Sequence, residues 1–164
     1  MKSLFLLRHA KSSWNDSSLP DFERPLNMRG RNGTELIGTF IKKNEVSPDL
    51  ILSSPAARAR ETIELVMKSA NMKADLRYDQ RIYDASAHVL SEVVSQIEDD
   101  KSSVLLVGHN PGMESLLHLL TGRTESFATA TLAKIDLDVS SWSHAVGTQG
   151  TLDWIVKPKE LEES

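Results

Sequence analysis

The stretch Leu4-Phe5-Leu6-Leu7-Arg8-His9-Ala10-Lys11 indicates both the fold of this chain and the place of its polar chemistry. Four consecutive apolar residues are typical of a parallel strand that is buried on both faces. The run ends at Arg8 and His9, so these two side chains follow the carboxyl end of the predicted strand. Binding and catalytic groups collect at that edge of an open α/β sheet. We therefore expect Arg8 and His9 to belong to a functional site.

Similar runs recur along the chain and alternate with helical patterns. Strands are predicted over residues 3–7, 50–53, 73–78, 103–107, 131–137 and 151–156. The last two runs alternate in polarity and are joined without a helix, which favours an antiparallel edge. The alternation of strands and helices predicts an α/β domain of three layers, α/β/α, with a mostly parallel central sheet of about six strands.

Four helices are predicted between the strands, because the gaps carry apolar residues at helical spacing. They are expected at residues 27–43, from Ser54-Pro55 onward, around 89–97, and from Asn110-Pro111 to Gly122. Ser54 is a candidate N-cap, since its hydroxyl can accept a backbone N–H and Pro55 fits the first helical position. The charged tail from about residue 158 is expected to fray.

The composition is that of an ordinary globular protein. Its 164 residues suit one domain spanning 1–164. The formal net charge is −4, so no general attraction to nucleic acid or to an anionic membrane is implied, and an anion site must be local. Cysteine is absent, which excludes disulfides and thiolate nucleophiles. The first apolar run is too short for a signal peptide or a membrane span, so we expect a cytoplasmic protein.

Two helix starts can bring further groups to the same edge of the sheet. Arg58 lies about one turn into its predicted helix, and helical side chains lean towards the N-terminus, so Arg58 is expected to point at the strand ends. Arg60 lies on another side of that helix and is assigned to the surface. The helix start at Asn110-Pro111 offers free backbone N–H groups, which favour an anion near His109.

Three motifs, in this order, resemble the histidine phosphatase superfamily, which includes phosphoglycerate mutases and many phosphatases. They are Arg8-His9-Ala10, Ser54-Pro55-Ala56-Ala57-Arg58-Ala59-Arg60-Glu61-Thr62 and Gly108-His109. The segments Asp21-Phe22-Glu23-Arg24-Pro25-Leu26 and Val107-Gly108-His109-Asn110-Pro111-Gly112 are similar to its SixA-type branch, the phosphohistidine phosphatases. The resemblance implies a phosphoglycerate mutase-like fold.

The resemblance also implies roles for four residues. His9 is expected to attack phosphorus and become phosphohistidine, which water then cleaves. Arg8, Arg58 and His109 are expected to bind the phosphoryl oxygens and to stabilise the transition state. The nearby guanidinium groups disfavour protonation of the imidazole, as a nucleophile requires. No metal and no cofactor is expected.

Two further residues are candidates for substrate binding. Arg24 either approaches the edge of the pocket or pairs with Asp21 or Asp16. Asn15 follows the nucleophile closely along the chain, and it either contacts the phosphate or belongs to a simple loop. A direct contact with the substrate is therefore one of two open interpretations for each residue.

The segment after the third strand departs from the larger family. Many members carry a glutamate there as general acid for a leaving alcohol, whereas residues 79–85 offer no clear glutamate and only Asp84 as a substitute. A leaving alkoxide has a conjugate acid near that of water, with a pKa of about 15.7, whereas the pKa of imidazole is about 6.5. A phosphoramidate therefore needs an acid far less, which favours phosphohistidine over simple phosphate esters as the substrate.

Three functions are compatible with these residues. The leading hypothesis is a metal-independent phosphatase that acts on a phosphorylated protein, through its phosphohistidine. The first alternative is a phosphomonoesterase for a small phosphorylated metabolite, with Asp84 as general acid. The second alternative is a non-catalytic reader of phosphorylated partners, which the presence of His9 disfavours. The sequence does not predict the oligomeric state.

Overall fold

A computed structural model describes residues 1–162 and contains one six-stranded sheet. The strands are β1 (Lys2–Arg8), β2 (Leu50–Ser53), β3 (Asp75–Tyr78), β4 (Ser103–Gly108), β5 (Leu132–Leu137) and β6 (Thr151–Val156). Their order across the sheet is β3-β2-β4-β1-β5-β6. The first four strands run parallel, whereas β5 is antiparallel to both β1 and β6, so the predicted antiparallel edge is confirmed.

Residues 1–162 form five α-helices. They are α1 (Met28–Lys43), α2 (Ala57–Ala70), α3 (Ala87–Ser95), α4 (Gly112–Thr121) and α5 (Pro158–Leu161). Apolar residues of α1 and α2 form a cluster on one face of the sheet, and those of α3 and α4 form a second cluster on the other face. The predicted three layers are confirmed. No helix within residues 1–162 combines the length and the apolar character that a membrane span requires.

The first strand shows why the middle residues of the central strands are apolar. Leu4 and Leu6 belong to the cluster under α3 and α4, whereas Phe5 and Leu7 belong to the cluster under α1 and α2. Successive side chains of a strand point to opposite faces, so a strand that is covered on both faces buries every residue. The polar side chains of this strand therefore lie at its ends.

The loop after β1 is held against the start of α1. Asn27 caps the helix, because its side-chain oxygen accepts the N–H of Gly30 at 2.8 Å. The backbone N–H of Asn27 donates to the Lys11 carbonyl at 3.0 Å. Any Cβ at Gly30 would overlap that carbonyl, so a glycine permits the close approach. This contact fixes the backbone two residues after His9.

The start of α2 differs from the prediction. The helix begins at Ala57, its N-cap is Ala56, and no side chain caps it. The Ser54 hydroxyl accepts the N–H of Ala56 at 3.2 Å and also lies 2.8 Å from His109 Nε2. Ser54 therefore belongs to the turn before the helix, and its hydroxyl is directed at the strand edge.

The C-terminal segment differs from the expected frayed tail. Residues Pro158–Leu161 form α5, which contacts α1. Leu161 packs against the apolar cluster under α1 and α2. Proline at the start of this helix and the partial burial of Leu161 explain why the segment is ordered despite its charges. Residues 163 and 164 of the predicted tail lie outside the described residues.

Candidate active site

The ends of β1, β2 and β4 meet at one edge of the sheet. β1 and β4 pair in register, with Arg8 opposite Gly108, and β2 pairs with the other side of β4. His9 and His109 follow these strands and lie side by side, with ring centroids 5.1 Å apart. Arg58 lies in the first turn of α2 and is buried. It is close enough to both histidines for its charge to lower their pKa values. The structure thus brings together the four residues predicted to carry the chemistry.

His9 is buried and is oriented by the backbone that follows it. Its Nδ1 lies 2.7 Å from the Ala10 carbonyl oxygen. A carbonyl only accepts, so Nδ1 is assigned the hydrogen, and Nε2 keeps a free lone pair. Burial lowers the pKa of His9 to about 3, and the charges of Arg58 and Arg8 act in the same direction. His9 is therefore neutral at neutral pH, with Nε2 available as a nucleophile.

His109 is held between two side chains from different loops. Its Nε2 lies 2.8 Å from Ser54 Oγ, and the ring of Tyr83 meets its ring edge-on, with centroids 5.5 Å apart. Burial is the main reason that the pKa of His109 falls to about 4, and the charge of Arg58 contributes in the same direction. His109 is therefore also neutral at neutral pH, and it can donate a hydrogen bond without adding a positive charge.

The two arginines are fixed by backbone carbonyl groups. Arg8 Nη1 donates to the Phe127 carbonyl at 2.9 Å, and Arg58 Nη1 donates to the Asp21 carbonyl at 2.8 Å. Arg58 Nη2 also donates to a carboxylate oxygen of Asp21 at 3.0 Å. A guanidinium has five N–H donors, so each arginine keeps further donors for a ligand.

Three polar atoms of this cluster are buried without a hydrogen-bond partner. They are Arg8 Nε, Arg58 Nε and His109 Nδ1, out of five such atoms within residues 1–162. Buried polar groups without a partner are uncommon in folded proteins, and each one calls for an explanation. Their concentration in one cluster indicates a site for a ligand that accepts several hydrogen bonds, such as a tetrahedral oxyanion.

Asp21 connects Arg58 and Arg24 to Tyr83 in the loop after β3, and its contacts with Arg58 and Tyr83 were not predicted from the sequence. Its carboxylate accepts hydrogen bonds from Arg58, from Arg24 Nε at 3.2 Å and from the Tyr83 hydroxyl at 2.6 Å. The hydrogen bond from Tyr83 is the main reason that the pKa of Asp21 falls to about 2, and Arg58 contributes as well. Buried guanidinium groups need a counter-charge, and Asp21 supplies one to Arg58 and Arg24.

Arg24 pairs with Asp21, one of the interpretations that the sequence left open. Its Nη1 donates to Ser12 Oγ at 2.8 Å, and its guanidinium carbon lies 3.5 Å from the ring centroid of Trp14. Its charge contributes to the low pKa of His109, so Arg24 also lies near the site. A direct contact with the substrate stays a prediction.

Three other predicted features lie around the cluster. Asn15 is exposed in the loop after β1, and Asp84 is exposed directly after Tyr83, with a left-handed backbone at φ 51°. The roles of Asn15 and Asp84 stay predictions. Arg60 is half-buried and donates to the Pro55 carbonyl at 3.0 Å. Within residues 1–162, no group of three or more His, Asp or Glu side chains is arranged to hold a metal ion.

Comparison with known proteins leads to the same family. The sequence model of the Histidine phosphatase superfamily (branch 1) matches residues 4–89. The chain is 26% identical to phosphohistidine phosphatase SixA of Escherichia coli (strain K12) over 163 residues, which covers 97% of this chain and 96% of that protein. A structure from Agrobacterium tumefaciens, provisionally assigned as phosphohistidine phosphatase SixA, has 33% identity and a TM-score of 0.81, with 96% of this chain and 98% of that chain covered.

The fold agrees with a further solved structure. The protein histidine phosphatase SixA complexed with tungstate has a TM-score of 0.84 at 24% identity, with 97% of this chain and 99% of that chain covered. This likeness confirms the expected phosphoglycerate mutase-like fold. The family match spans more than half of the 164 residues. The protein therefore belongs to the histidine phosphatase superfamily, in its SixA branch, and is a phosphatase.

Proposed function

We propose that the protein removes the phosphoryl group from phosphohistidine on a phosphorylated cytoplasmic protein, through a phosphohistidine intermediate on His9. One observation carries the proposal. The free Nε2 of a neutral His9 belongs to the same cluster as three buried polar atoms without partners. A nucleophile next to hydrogen-bond donors is the arrangement that phosphoryl transfer requires.

The reaction has two displacement steps at phosphorus. First, Nε2 of His9 attacks, the bond between Nε2 and phosphorus forms, and the bond to the substrate imidazole breaks. The electron pair of the broken bond stays on the leaving nitrogen, and the imidazole leaves as a neutral ring when its other nitrogen carries a proton. Then water attacks phosphorus, the bond to His9 breaks, and inorganic phosphate leaves. His9 keeps the proton on Nδ1 throughout.

The proposed role of the other three residues is electrostatic. Arg8, Arg58 and His109 would hold the equatorial oxygens, whose negative charge persists through the transfer. Hydrogen bonds to charged groups contribute roughly 1.5–3 kcal/mol each, so three fixed donors can supply a substantial part of the catalysis. Because the backbone and Asp21 already fix both arginines, little reorganisation is needed when the substrate binds.

The choice of phosphohistidine rests on the leaving group and on the relatives. Imidazole leaves without the help of a strong acid, and the segment after β3 lacks the glutamate that many family members use. The Escherichia coli relative is a phosphohistidine phosphatase by name, and tungstate, bound in the SixA complex, is a tetrahedral oxyanion. The name of that relative supports phosphohistidine as the substrate class of this chain, and the tungstate complex supports a site for a phosphoryl group.

The test is a rapid-quench experiment with a peptide that carries radiolabelled phosphohistidine. We expect brief incubation to leave acid-labile phosphate on the wild-type protein and none on His9→Ala. The matched control is His118→Ala, since His118 is an exposed histidine of α4. If His9→Ala still turned over the peptide, the covalent mechanism would be wrong.

A phosphomonoesterase with Asp84 as general acid is the second candidate. It is favoured by the exposed position of Asp84 next to Tyr83, whose ring contacts His109. Comparing kcat/KM for the phosphohistidine peptide with that for a sugar phosphate distinguishes the two. A strong preference for the ester would favour this candidate. Absence of labelled protein and of turnover with both substrates would contradict both candidates.

A further inference from the structure

The Ser54 hydroxyl lies inside the active site. Ser54 follows β2 directly, and its side chain is fully buried. Its oxygen accepts the N–H of Ala56 at 3.2 Å and lies 2.8 Å from His109 Nε2. The hydroxyl is thus shared between the turn that leads into α2 and a residue that follows β4.

These contacts decide which partner donates. A serine hydroxyl has one hydrogen to donate, and a buried hydroxyl hydrogen needs an acceptor. The Ala56 N–H is a donor, so among the contacts of residues 1–162 the acceptor that remains for the hydroxyl is His109 Nε2. We infer that Ser54 is a positioning residue, which donates to Nε2 and thereby fixes His109 as the tautomer with hydrogen on Nδ1.

The tautomer determines what His109 offers to a ligand. With hydrogen on Nδ1, the unpartnered atom of His109 is a donor, like the unpartnered Nε atoms of Arg8 and Arg58. All three atoms then suit the oxygens of a phosphoryl group. The other tautomer would leave a lone pair on Nδ1, which repels such oxygens, and would leave the Ser54 hydrogen buried without an acceptor. Both consequences favour the same assignment.

The inference rests on the proposed contact between His109 and the phosphoryl group, and its test uses binding rather than turnover. The probe is tungstate, measured by calorimetry with wild type, Ser54→Ala, Ser54→Thr and Ser53→Ala. Ser53 is the matched control, because it is an equally buried serine whose hydroxyl donates to the Ser54 carbonyl. We expect Ser54→Ala to bind tungstate about tenfold more weakly, corresponding to ~1.4 kcal/mol. Ser54→Thr, which keeps the hydroxyl, and Ser53→Ala should bind it nearly as wild type does.

Nitrogen-15 NMR of the histidine rings gives a readout that a purely structural role would not change. In the wild type, His109 should show hydrogen on Nδ1, and in folded Ser54→Ala the ring should lose this preference. A wild-type tautomer in Ser54→Ala, or unchanged tungstate affinity, would overturn the inference. If the proposed function were wrong, the peptide would not label His9. The expected changes in tungstate affinity and in the tautomer of His109 would still be observed.

Discussion

His9 and His109 lie next to each other with ring centroids 5.1 Å apart, and both side chains are buried. Two imidazolium ions at that separation, close to two guanidinium groups, would repel each other strongly. The pKa of His9 is lowered to about 3 and that of His109 to about 4, in each case chiefly by burial. Two neutral rings can therefore take different roles, one as nucleophile and the other as donor.

The neutral histidines make stability dependent on pH. An unfolded histidine has a pKa of about 6.5, so between pH 6.5 and the lowered values the unfolded chain binds more protons than the folded chain. The free energy of unfolding therefore falls as the pH decreases through this range. At pH 5 we expect a loss of about 2 kcal/mol for each of His9 and His109, relative to pH 8. Urea denaturation at the two pH values measures it.

The matched variants identify the source of this pH dependence. His9→Gln should reduce the difference in unfolding free energy between pH 8 and pH 5, because glutamine does not titrate. His118→Gln is the matched control, because it removes a histidine at the surface of α4. An equal pH dependence in wild type and His9→Gln would show that His9 titrates normally in the folded protein.

Arg58 and Arg60 are a second matched pair, on the same helix. Arg58 is buried in the cluster, whereas Arg60 donates to the Pro55 carbonyl. We expect Arg58→Ala to lower kcat/KM on the order of 10- to 100-fold, from the loss of charge-assisted hydrogen bonds to the phosphoryl group. Arg60→Ala should stay within about twofold of wild type. Steady-state kinetics with the phosphohistidine peptide checks both, and similar losses in the two variants would contradict the assignment of Arg58.

Asp21→Asn tests whether the carboxylate of Asp21 is the counter-charge of Arg58 and Arg24. The side chains of Arg58 and Arg24 are 8% and 9% exposed, and each forms an ion pair with Asp21. Because Asp21 itself is half-exposed, we expect the variant to lose only about 1 kcal/mol of unfolding free energy at neutral pH. Asp16→Asn, in the same loop but exposed and bonded to Ser18, should lose less. If the two variants were equally stable in urea, hydration by water would be sufficient to stabilise the guanidinium groups without the carboxylate of Asp21.

Local patterns were sufficient to predict the strands and the four central residues. A short apolar run predicts a strand because both faces are covered, and the residue after it must then lie at the edge of the sheet. This reasoning placed His9 and His109 correctly relative to each other. Arg58 was predictable because helix geometry fixes the direction of a side chain in the first turn.

Contacts between distant segments were not predictable in the same way. Ser54-Pro55 has the local pattern of a helix cap, yet the hydroxyl of Ser54 is directed at His109, which comes from another strand. The bond between Tyr83 and Asp21 joins two loops that only the folded sheet brings together. The tail at Pro158–Leu161 is ordered by packing on α1, which charge content alone does not reveal.

Asp84→Asn separates the two substrate classes. If imidazole is the leaving group, no strong acid is needed, so turnover of the phosphohistidine peptide should stay within about twofold of wild type. Any turnover of a sugar phosphate should fall by a factor of 10² or more, the typical contribution of general acid catalysis. Asp100→Asn, an exposed carboxylate before β4, should change neither rate. Loss of both activities in Asp84→Asn would mean that this carboxylate also protonates imidazole, and the leaving-group argument for the substrate would then no longer hold.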